Sequence, residues 1–193
     1  MTTLLHISGG LDSVYTAYIW LKNNSTNKIL LHHVNLQHRE EDRLEEETKA
    51  MSEVLDWFKN NGLDNFEYRE STLLYGDLKG FIRDFMSISF FTAAILKEFR
   101  FIDTILSTRH IQENNLTEEQ RNEMIMSILK PLGIKRDIKF DYPNGQTNRK
   151  DMFENMPLDL YKLCKSCRKP IKGKPCKRCR TCQQFITLGI NPI

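Results

Sequence analysis

The sequence predicts an α/β fold in which a parallel β-sheet is covered by helices on both faces. Short apolar runs alternate with amphipathic segments from the N-terminus to about position 140, which is the pattern of strand–helix–strand units. The chain has 193 residues and is 40% hydrophobic, enough for a sizeable core. No apolar run approaches the roughly 20 residues that a membrane-spanning helix needs.

Each element follows from its local pattern. The predicted strands are the apolar runs at residues 3–7, 28–34, 66–71 and 101–107. The predicted helices carry apolar side chains at helical spacing and cover residues 12–22, 39–60, 80–98 and 117–130. The last of these helices opens with Thr117 and Gln120, a capping box, and Pro131 closes it. A Rossmann-like parallel sheet is therefore expected, with ligands at the carboxyl ends of its strands.

Charge and cysteine content set the end of the chain apart. From residue 160 onward there are nine Lys or Arg and no Asp or Glu, whereas positions 1–159 hold 19 basic and 25 acidic side chains. All five cysteines lie in this basic stretch, and an odd, clustered set favours metal binding over disulfides. We expect a parallel α/β domain over residues 1–140. A cysteine-rich segment would follow over 141–193, with 141–160 as an irregular linker.

The N-terminus lacks a basic region followed by a long apolar run, so no signal peptide is expected. With reduced, clustered cysteines, the expected compartment is cytoplasmic.

A glycine-rich turn between the first strand and the first helix is the candidate nucleotide site. Its residues are Ile7, Ser8, Gly9, Gly10, Leu11, Asp12 and Ser13; residues 8–13 are called the phosphate turn below. Adjacent glycines let the backbone approach a ligand, and helix N-terminal amides favour an anion. Serine hydroxyls add donors, and Asp12 would cap the helix or help to hold Mg²⁺. A plain strand-to-helix connection is the alternative.

The cysteines have the spacing of a metal site. Cys167, Cys176, Cys179 and Cys182 follow the pattern Cys-x8-Cys-x2-Cys-x2-Cys, which suits tetrahedral zinc with bonds of about 2.3 Å. Cys164 forms another Cys-x2-Cys with Cys167, so a set of 164, 167, 176 and 179 is also open. An iron–sulfur cluster and free thiols are the remaining alternatives.

The phosphate turn resembles the signature of the PP-loop, or N-type, ATP pyrophosphatases. Within that class, both ends of the chain together resemble the 7-cyano-7-deazaguanine (preQ0) synthase family of queuosine-precursor biosynthesis. That family carries Ser-Cys followed, after eight residues, by Cys-x2-Cys-x2-Cys, as Ser166-Cys167 is followed here by the other three cysteines. The resemblance implies a sheet of the adenine nucleotide alpha hydrolase type with a small C-terminal zinc knuckle. It also implies that Cys167, Cys176, Cys179 and Cys182 are the zinc ligands and that Cys164 is a spare thiol.

The resemblance further implies an ATP-dependent ligase that adenylates 7-carboxy-7-deazaguanine with the help of Mg²⁺. Ammonia would displace AMP to give the amide, and a second activation would give the nitrile. The expected catalytic residues are Ser8, Asp12, Ser13, His38 and Arg83. A homodimer is carried over from the family.

Between its two ends the chain departs from the family pattern. His38 and Glu41 match a family segment after the second strand, and Arg83 matches an Arg-Asn pair that opens the third helix. A surface histidine and a structural ion pair are the alternatives for His38 and Arg83. After the fourth strand, Arg109 and His110 stand where the family carries glycine and acidic residues.

Three other functions stay open. A variant of the synthase would stop at the amide or adenylate another substrate. A tRNA-thiolating enzyme of the same class would need a redox-active cysteine in its catalytic core, and the chain has none before Cys164. A non-catalytic module would use the basic cysteine-rich end to bind nucleic acid.

Overall fold

The protein is an α/β fold with an all-parallel sheet flanked by helices, as the sequence predicts. The computed structural model describes residues 2–38, 43–76, 84–108, 117–145 and 147–193, with the backbone alone at residues 37, 38, 43, 44, 75, 76, 84 and 85. Within those ranges the sheet has five strands in the order β3-β2-β1-β4-β5. The strands are β1 (Thr3–His6), β2 (Ile29–His38), β3 (Phe66–Gly76), β4 (Thr104–Leu106) and β5 (Lys139–Asp141).

Seven helices are described along the chain, and the first four divide evenly between the two faces of the sheet. They are α1 (Leu11–Asn23), α2 (Arg43–Asn60), α3 (Asp84–Glu98), α4 (Glu118–Leu129), α5 (Arg149–Asn155), α6 (Leu158–Leu163) and α7 (Arg180–Thr187). Thr117 and Gln120 form the expected capping box at α4, since each side chain accepts a hydrogen bond from the other's backbone amide.

Alternation along β1 divides the core between the two faces of the sheet. Leu5 packs with the residues of α1 and α2, whereas its neighbour Leu4 packs with those of α3 and α4. Successive strand residues point to opposite faces, so a continuous apolar run such as β1 can be covered on both sides.

The region predicted to be an irregular linker is not one. All of α5 and the first half of α6 fall within residues 141–160, and Met152, Met156 and Leu160 from this stretch are buried in the same core as α1 and α2. Phe185 of α7 and Ile190 join them there. The cysteine-rich end is therefore packed against the sheet domain on the α1–α2 face.

Other differences concern strand bounds. β2 and β3 run to His38 and Gly76, beyond their predicted ends, because they pair with each other along their whole length, with an irregularity at Gln37 and His38. The short edge strand β5 was missed because Phe140 is its single apolar residue. None of the helices in the described ranges combines the length and apolar content needed to cross a bilayer.

Candidate functional site

The phosphate turn follows β1 at the point where the strand order reverses. β1 pairs with β2 on one side and with β4 on the other, and the chain leaves β1 toward α1. In open parallel sheets the crevice outside the carboxyl ends at such a point is where ligands bind. The turn thus has the position that its sequence predicts.

Neighbouring strand β2 fixes the base of the turn. The Ile7 amide donates to the carbonyl oxygen of His32 at 3.0 Å, and Nδ1 of the buried His33 donates to the carbonyl oxygen of Ile7 at 2.8 Å. The side chains of Ile7 and Leu11 are both 1% exposed and belong to the core. These two residues can therefore offer a ligand only their backbone groups.

Glycines shape the turn itself. Gly9 has φ of 71°, and a Cβ at this position would lie 3.2 Å from Cβ of Ala50 in α2. Both facts favour glycine, the first because other residues rarely adopt that conformation and the second because α2 packs against the turn. Gly10 is the N-cap of α1, with an extended backbone and no side-chain cap hydrogen bond.

The two serines of the turn have different surroundings. Ser13 is 5% exposed, and its Oγ accepts from the Ser8 amide at 3.0 Å while donating to the carbonyl oxygen of Gly10 at 3.1 Å. Ser8 is exposed, with its Oγ 3.3 Å from that of Ser13. Ser13 therefore braces the turn, whereas the hydroxyl of Ser8 is accessible to a ligand.

Asp12 is held by an arginine from far along the chain. Nε and Nη2 of Arg149 donate to the two carboxylate oxygens of Asp12 at 3.1 and 2.6 Å. Nη1 of Arg149 also donates to Oε1 of Gln184 in α7. Arg149 is buried, so this bidentate pair supplies the anionic partner that a buried guanidinium needs. Asp12 is thus not the N-cap of α1, which was one of its two expected roles.

The segment that carries Cys167 also touches the turn. The Lys165 amide donates to the carbonyl oxygen of Gly9 at 2.8 Å, and the Leu11 amide donates to Oγ of Ser166 at 3.0 Å. Neither contact was expected from the sequence. They join the two ends of the chain at the candidate site.

Four thiols come together at the other end of this segment. The sulfur atoms of Cys167, Cys176, Cys179 and Cys182, called the cysteine group below, all lie within 4.8 Å of one another. Four sulfurs about 2.3 Å from a central zinc ion would be about 3.8 Å apart, so the group could hold a tetrahedral metal such as zinc.

Backbone amides turn toward the same sulfurs. The Cys176 amide donates to Sγ of Cys167 at 3.2 Å, the Cys179 amide to Sγ of Cys176 at 3.2 Å, and the Cys182 amide to Sγ of Cys179 at 3.5 Å. The Arg178 amide is the main cause that lowers the pKa of Cys176 to about 6. Amide donors of this kind stabilise thiolates, the form in which cysteine binds metals, whereas burial raises the pKa values of Cys167 and Cys182.

The loop between Cys167 and Cys176 contains a tight turn. Ile171 and Lys174 form an antiparallel bridge around Lys172 and Gly173, whose φ angles are 49° and 71°. Lys177, between Cys176 and Cys179, also has a positive φ of 57°. These left-handed positions fold the backbone back so that its amides face sulfur.

Cys164 stands apart from the cysteine group. It is completely buried in the core beside α1, and its Sγ lies 3.6 Å from the carbonyl oxygen of Leu160. Burial, and next the charge of Asp12, raises the pKa of its thiol well above the ordinary range. The alternative metal set that included Cys164 is therefore wrong.

A hydrogen-bonded row of polar side chains beside the turn was not predicted from the sequence; it consists of Thr92, His6, His32 and Ser71. Thr92 donates to the carbonyl oxygen of Ile88 at 2.8 Å, so its hydroxyl accepts from Nε2 of His6 at 2.7 Å. His6 Nδ1 then accepts from Nδ1 of His32 at 3.1 Å, and His32 Nε2 accepts from the Ser71 hydroxyl at 2.9 Å.

The imidazole rings of His6 and His32 are both uncharged at neutral pH. Burial, and next the neighbouring His32, lowers the pKa of His6 to about 3. Burial, and next His33, lowers the pKa of His32 to about 4. Alternation in the strands could have indicated that His6 and His32 point inward, but the pattern says nothing of their partners.

The remaining predicted site residues are placed less fully. His38 is the last residue of β2, at the carboxyl edge of the sheet, and its side chain is outside the described part of the structure. Arg83, Arg109 and His110 lie outside the described residues altogether. Their expected roles stay predictions.

Comparisons with known proteins add little to this geometry. No protein-family model matches the chain, and no curated protein matches it. Among solved structures, the chain is similar to the crystal structure of a hypothetical protein, PH0823, with 11% identity over 72% of this chain and 94% of that chain and a TM-score of 0.37. What the chain does is therefore inferred from its own residues.

Proposed function

We propose that the protein is an ATP-dependent carbon–nitrogen ligase of the 7-cyano-7-deazaguanine synthase type. The observation that supports this most is the phosphate turn. It follows β1 where the strand order reverses, needs glycine at Gly9 and presents the accessible hydroxyl of Ser8. The cysteine group at the other end of the chain gives the second half of the family resemblance.

In the proposed reaction, a carboxylate oxygen of 7-carboxy-7-deazaguanine attacks the α-phosphorus of ATP and pyrophosphate leaves. Ammonia then attacks the activated carbonyl carbon, and AMP leaves with that oxygen to give the amide. A second ATP adenylates the amide oxygen. Loss of AMP with the N–H protons leaves the nitrile, so each carboxylate oxygen ends on one molecule of AMP.

The residues of the turn would act by positioning and charge stabilisation. The hydroxyl of Ser8 and the amides at the N-terminus of α1 other than that of Leu11, which donates to Ser166, would hold phosphate oxygens, while Ser13 keeps the turn in shape. Both carboxylate oxygens of Asp12 accept from Arg149, so Mg²⁺ would be held mainly by the phosphates themselves. His38 and Arg83 would contact the substrate acid or the leaving phosphate from the carboxyl edge of the sheet.

A zinc ion in the cysteine group would be structural. All of its four positions would be filled by protein thiolates, which leaves none for water or substrate. Its chemistry would therefore be to hold the fold of the C-terminal segment and not to take part in the reaction.

The test is a reaction of purified, zinc-loaded protein with ATP, Mg²⁺, ammonia and the ¹⁸O-labelled carboxylate. Mass spectrometry should find ¹⁸O in AMP, pyrophosphate in equal amount and the nitrile as product. Ser8→Ala should weaken ATP binding about tenfold to a hundredfold, because a hydrogen bond to a charged phosphate is lost. Ser52→Ala, an exposed serine on α2, is the matched control.

The possible results of this reaction distinguish the ligase from the alternative functions. Labelled amide as the end product would show the variant that stops halfway, and labelled AMP from a different acid would show another substrate. No nucleotide turnover, together with tight and salt-sensitive RNA or DNA binding, would replace the ligase by the non-catalytic module. The thiolase is disfavoured, because the one cysteine outside the cysteine group, Cys164, is buried with a raised pKa. The proposal includes a cytoplasmic location and a homodimer, and light scattering of the pure protein would check the dimer.

A further inference from the structure

Two hydrogen bonds clamp the phosphate turn from the side of the cysteine group. The carbonyl oxygen of Gly9 accepts from the Lys165 amide at 2.8 Å, and the Leu11 amide donates to Oγ of Ser166 at 3.0 Å. Gly10 lies between these two points. The Gly10 N-cap is thus fixed on both sides by consecutive residues from a segment far along the chain, since Leu11 and Ser166 are 155 positions apart.

Ser166 and Ser8 both lie close to Gly10. A Cβ at Gly10 would lie 3.5 Å from Oγ of Ser166, 3.5 Å from Oγ of Ser8 and 3.6 Å from the carbonyl oxygen of Lys165. These are ordinary contact distances, so a methyl group would fit at Gly10 with the two hydroxyls next to it. A shift of Ser166 would reach the turn through its hydrogen bond with the Leu11 amide.

Ser166 is in turn held next to a member of the cysteine group. The amides of Ser166 and Cys167 both donate to the carbonyl oxygen of Ile193, at 3.0 and 2.8 Å. The position of Ser166 thus depends on that of Cys167, whose sulfur lies within 4.8 Å of the other three sulfurs of the group.

A second connection runs from the cysteine group to the turn through α7. Cys182 lies in this helix, and Gln184, two residues later, accepts from Nη1 of Arg149. Arg149 holds both carboxylate oxygens of Asp12 in the phosphate turn. The cysteine group is therefore connected to the turn through two separate paths.

We propose that Ser166 is a positioning residue for the phosphate turn, and that metal binding to the cysteine group holds it in place. Nucleotide affinity then depends on metal loading, although the metal is not at the nucleotide site. Without a metal nothing bonds the four sulfurs to one another, so Cys167 and the neighbouring Ser166 lose this constraint when the metal leaves. This inference rests on the proposed function, because it concerns how the nucleotide site is held.

The expected effects follow from the hydrogen bonds that each change removes. Ser166→Ala removes one neutral hydrogen bond and should weaken nucleotide binding about threefold to tenfold. Ser166→Thr keeps the hydroxyl and should bind within about twofold of the unchanged protein. Metal removal releases the hydrogen bonds of Lys165 and Ser166 together and should weaken binding more than Ser166→Ala does. In metal-free protein Ser166→Ala should then cost nothing further, because its hydrogen bond to Leu11 is already broken.

The experiment is isothermal titration calorimetry with ATP and with pyrophosphate. It compares metal-loaded and chelator-treated forms of the unchanged protein, Ser166→Ala, Ser166→Thr and the control Ser127→Ala, an exposed serine on α4. Circular dichroism checks that each form keeps its secondary structure. The amide resonance of Leu11 gives a readout without nucleotide: in Ser166→Ala and in metal-free protein it should shift and exchange faster with solvent.

The results separate this inference from the function on which it rests. Failure of the metal-loaded, unchanged protein to bind ATP or pyrophosphate would overturn both. If that protein binds, then equal affinity of Ser166→Ala overturns the positioning role alone. A loss from Ser166→Ala that is as large without metal as with it overturns the dependence on metal.

Discussion

Gly9 offers a sharp test of the phosphate turn, because the chain contains a matched control. Gly9 and Gly62 both have φ of 71°, so alanine at either position must adopt the left-handed conformation. Their surroundings differ. A Cβ at Gly9 would lie 3.2 Å from Cβ of Ala50, whereas a Cβ at Gly62, after the end of α2, would have nothing within 4 Å.

The two substitutions should therefore differ by the steric contribution alone. The left-handed conformation costs a residue with a Cβ about 1–2 kcal/mol, and both variants lose this amount. Carbon atoms pack at about 3.5–4.0 Å, so Gly9→Ala must also push α2 or the turn by a few tenths of an ångström. Crowding of this kind costs about 1–3 kcal/mol. We expect Gly9→Ala to lose about 2–5 kcal/mol of unfolding free energy and Gly62→Ala about 1–2 kcal/mol.

Equilibrium urea denaturation of the metal-loaded proteins measures both values. Titration with pyrophosphate adds a functional readout, and Gly62→Ala should bind like the unchanged protein while Gly9→Ala binds more weakly. Losses of stability that are equal in the two variants would show that α2 does not confine the turn. Normal pyrophosphate binding by a folded Gly9→Ala protein would refute the role of the turn in holding phosphate.

Three further predictions concern Arg149, the buried histidines and the cysteines. Arg149→Lys should destabilise the protein by about 1–3 kcal/mol in denaturation, because lysine cannot make the bidentate pair with the partly buried Asp12; unchanged stability would contradict this. In the folded protein the pKa values of His6 and His32 are lowered to about 3 and about 4, so both rings stay neutral there, while the same histidines of the unfolded chain bind protons below pH 6.5. Stability should therefore decrease as the pH is lowered, by about 1.4 kcal/mol per pH unit for each ring. His32→Asn should roughly halve that slope between pH 6.5 and about 4, and an unchanged slope would be the adverse result. After metal removal, iodoacetamide should modify the partly exposed Cys167, Cys176 and Cys179, whereas Cys164 should react only in denaturant because it is buried in the core with a raised pKa; mass spectrometry of the folded protein would disprove this by finding Cys164 labelled.

The sheet domain could be predicted because its signals are local. Apolar runs mark buried parallel strands, and the capping box at Thr117 marks the start of α4 within a few residues. The phosphate turn is equally local, since strand, glycines and helix follow one another directly. The cysteine spacing is also a local signal, because cysteines with two or eight residues between them can reach one ion.

The missed elements carry weaker signals, and the capping box of Asn148 and Asp151 at the start of α5 was overlooked. α5 and α6 have 7 and 6 residues, too few for a helical period to be seen, and they are held mainly by packing of Met152 and Leu160 into the core. β5 has three residues, and its two ends are exposed. Tertiary contacts decide the structure of segments this short.

Contacts across the chain were beyond single-sequence reasoning for another reason. Arg149 and Asp12 are 137 positions apart, and Ser166 and Leu11 are 155 apart. Nothing in the composition around Arg149 distinguishes it from a solvated arginine. Asp12 looked like a cap or a magnesium ligand because those are the roles that neighbours in sequence can supply.

The contacts of the C-terminal segment with the phosphate turn place its basic charge near the candidate nucleotide site. A zinc ion with four thiolates has a net charge of about −2, so the nine Lys and Arg after residue 160 exceed what the cysteine group needs. That surplus lies on a segment that hydrogen-bonds to the phosphate turn through Lys165 and Ser166. A positive field at this place favours a triphosphate at the turn and an extended polyanion alike. What favours the nucleotide is the turn itself, in which Gly9 is confined by Ala50 and the backbone on both sides of Gly10 is held by hydrogen bonds from Lys165 and Ser166.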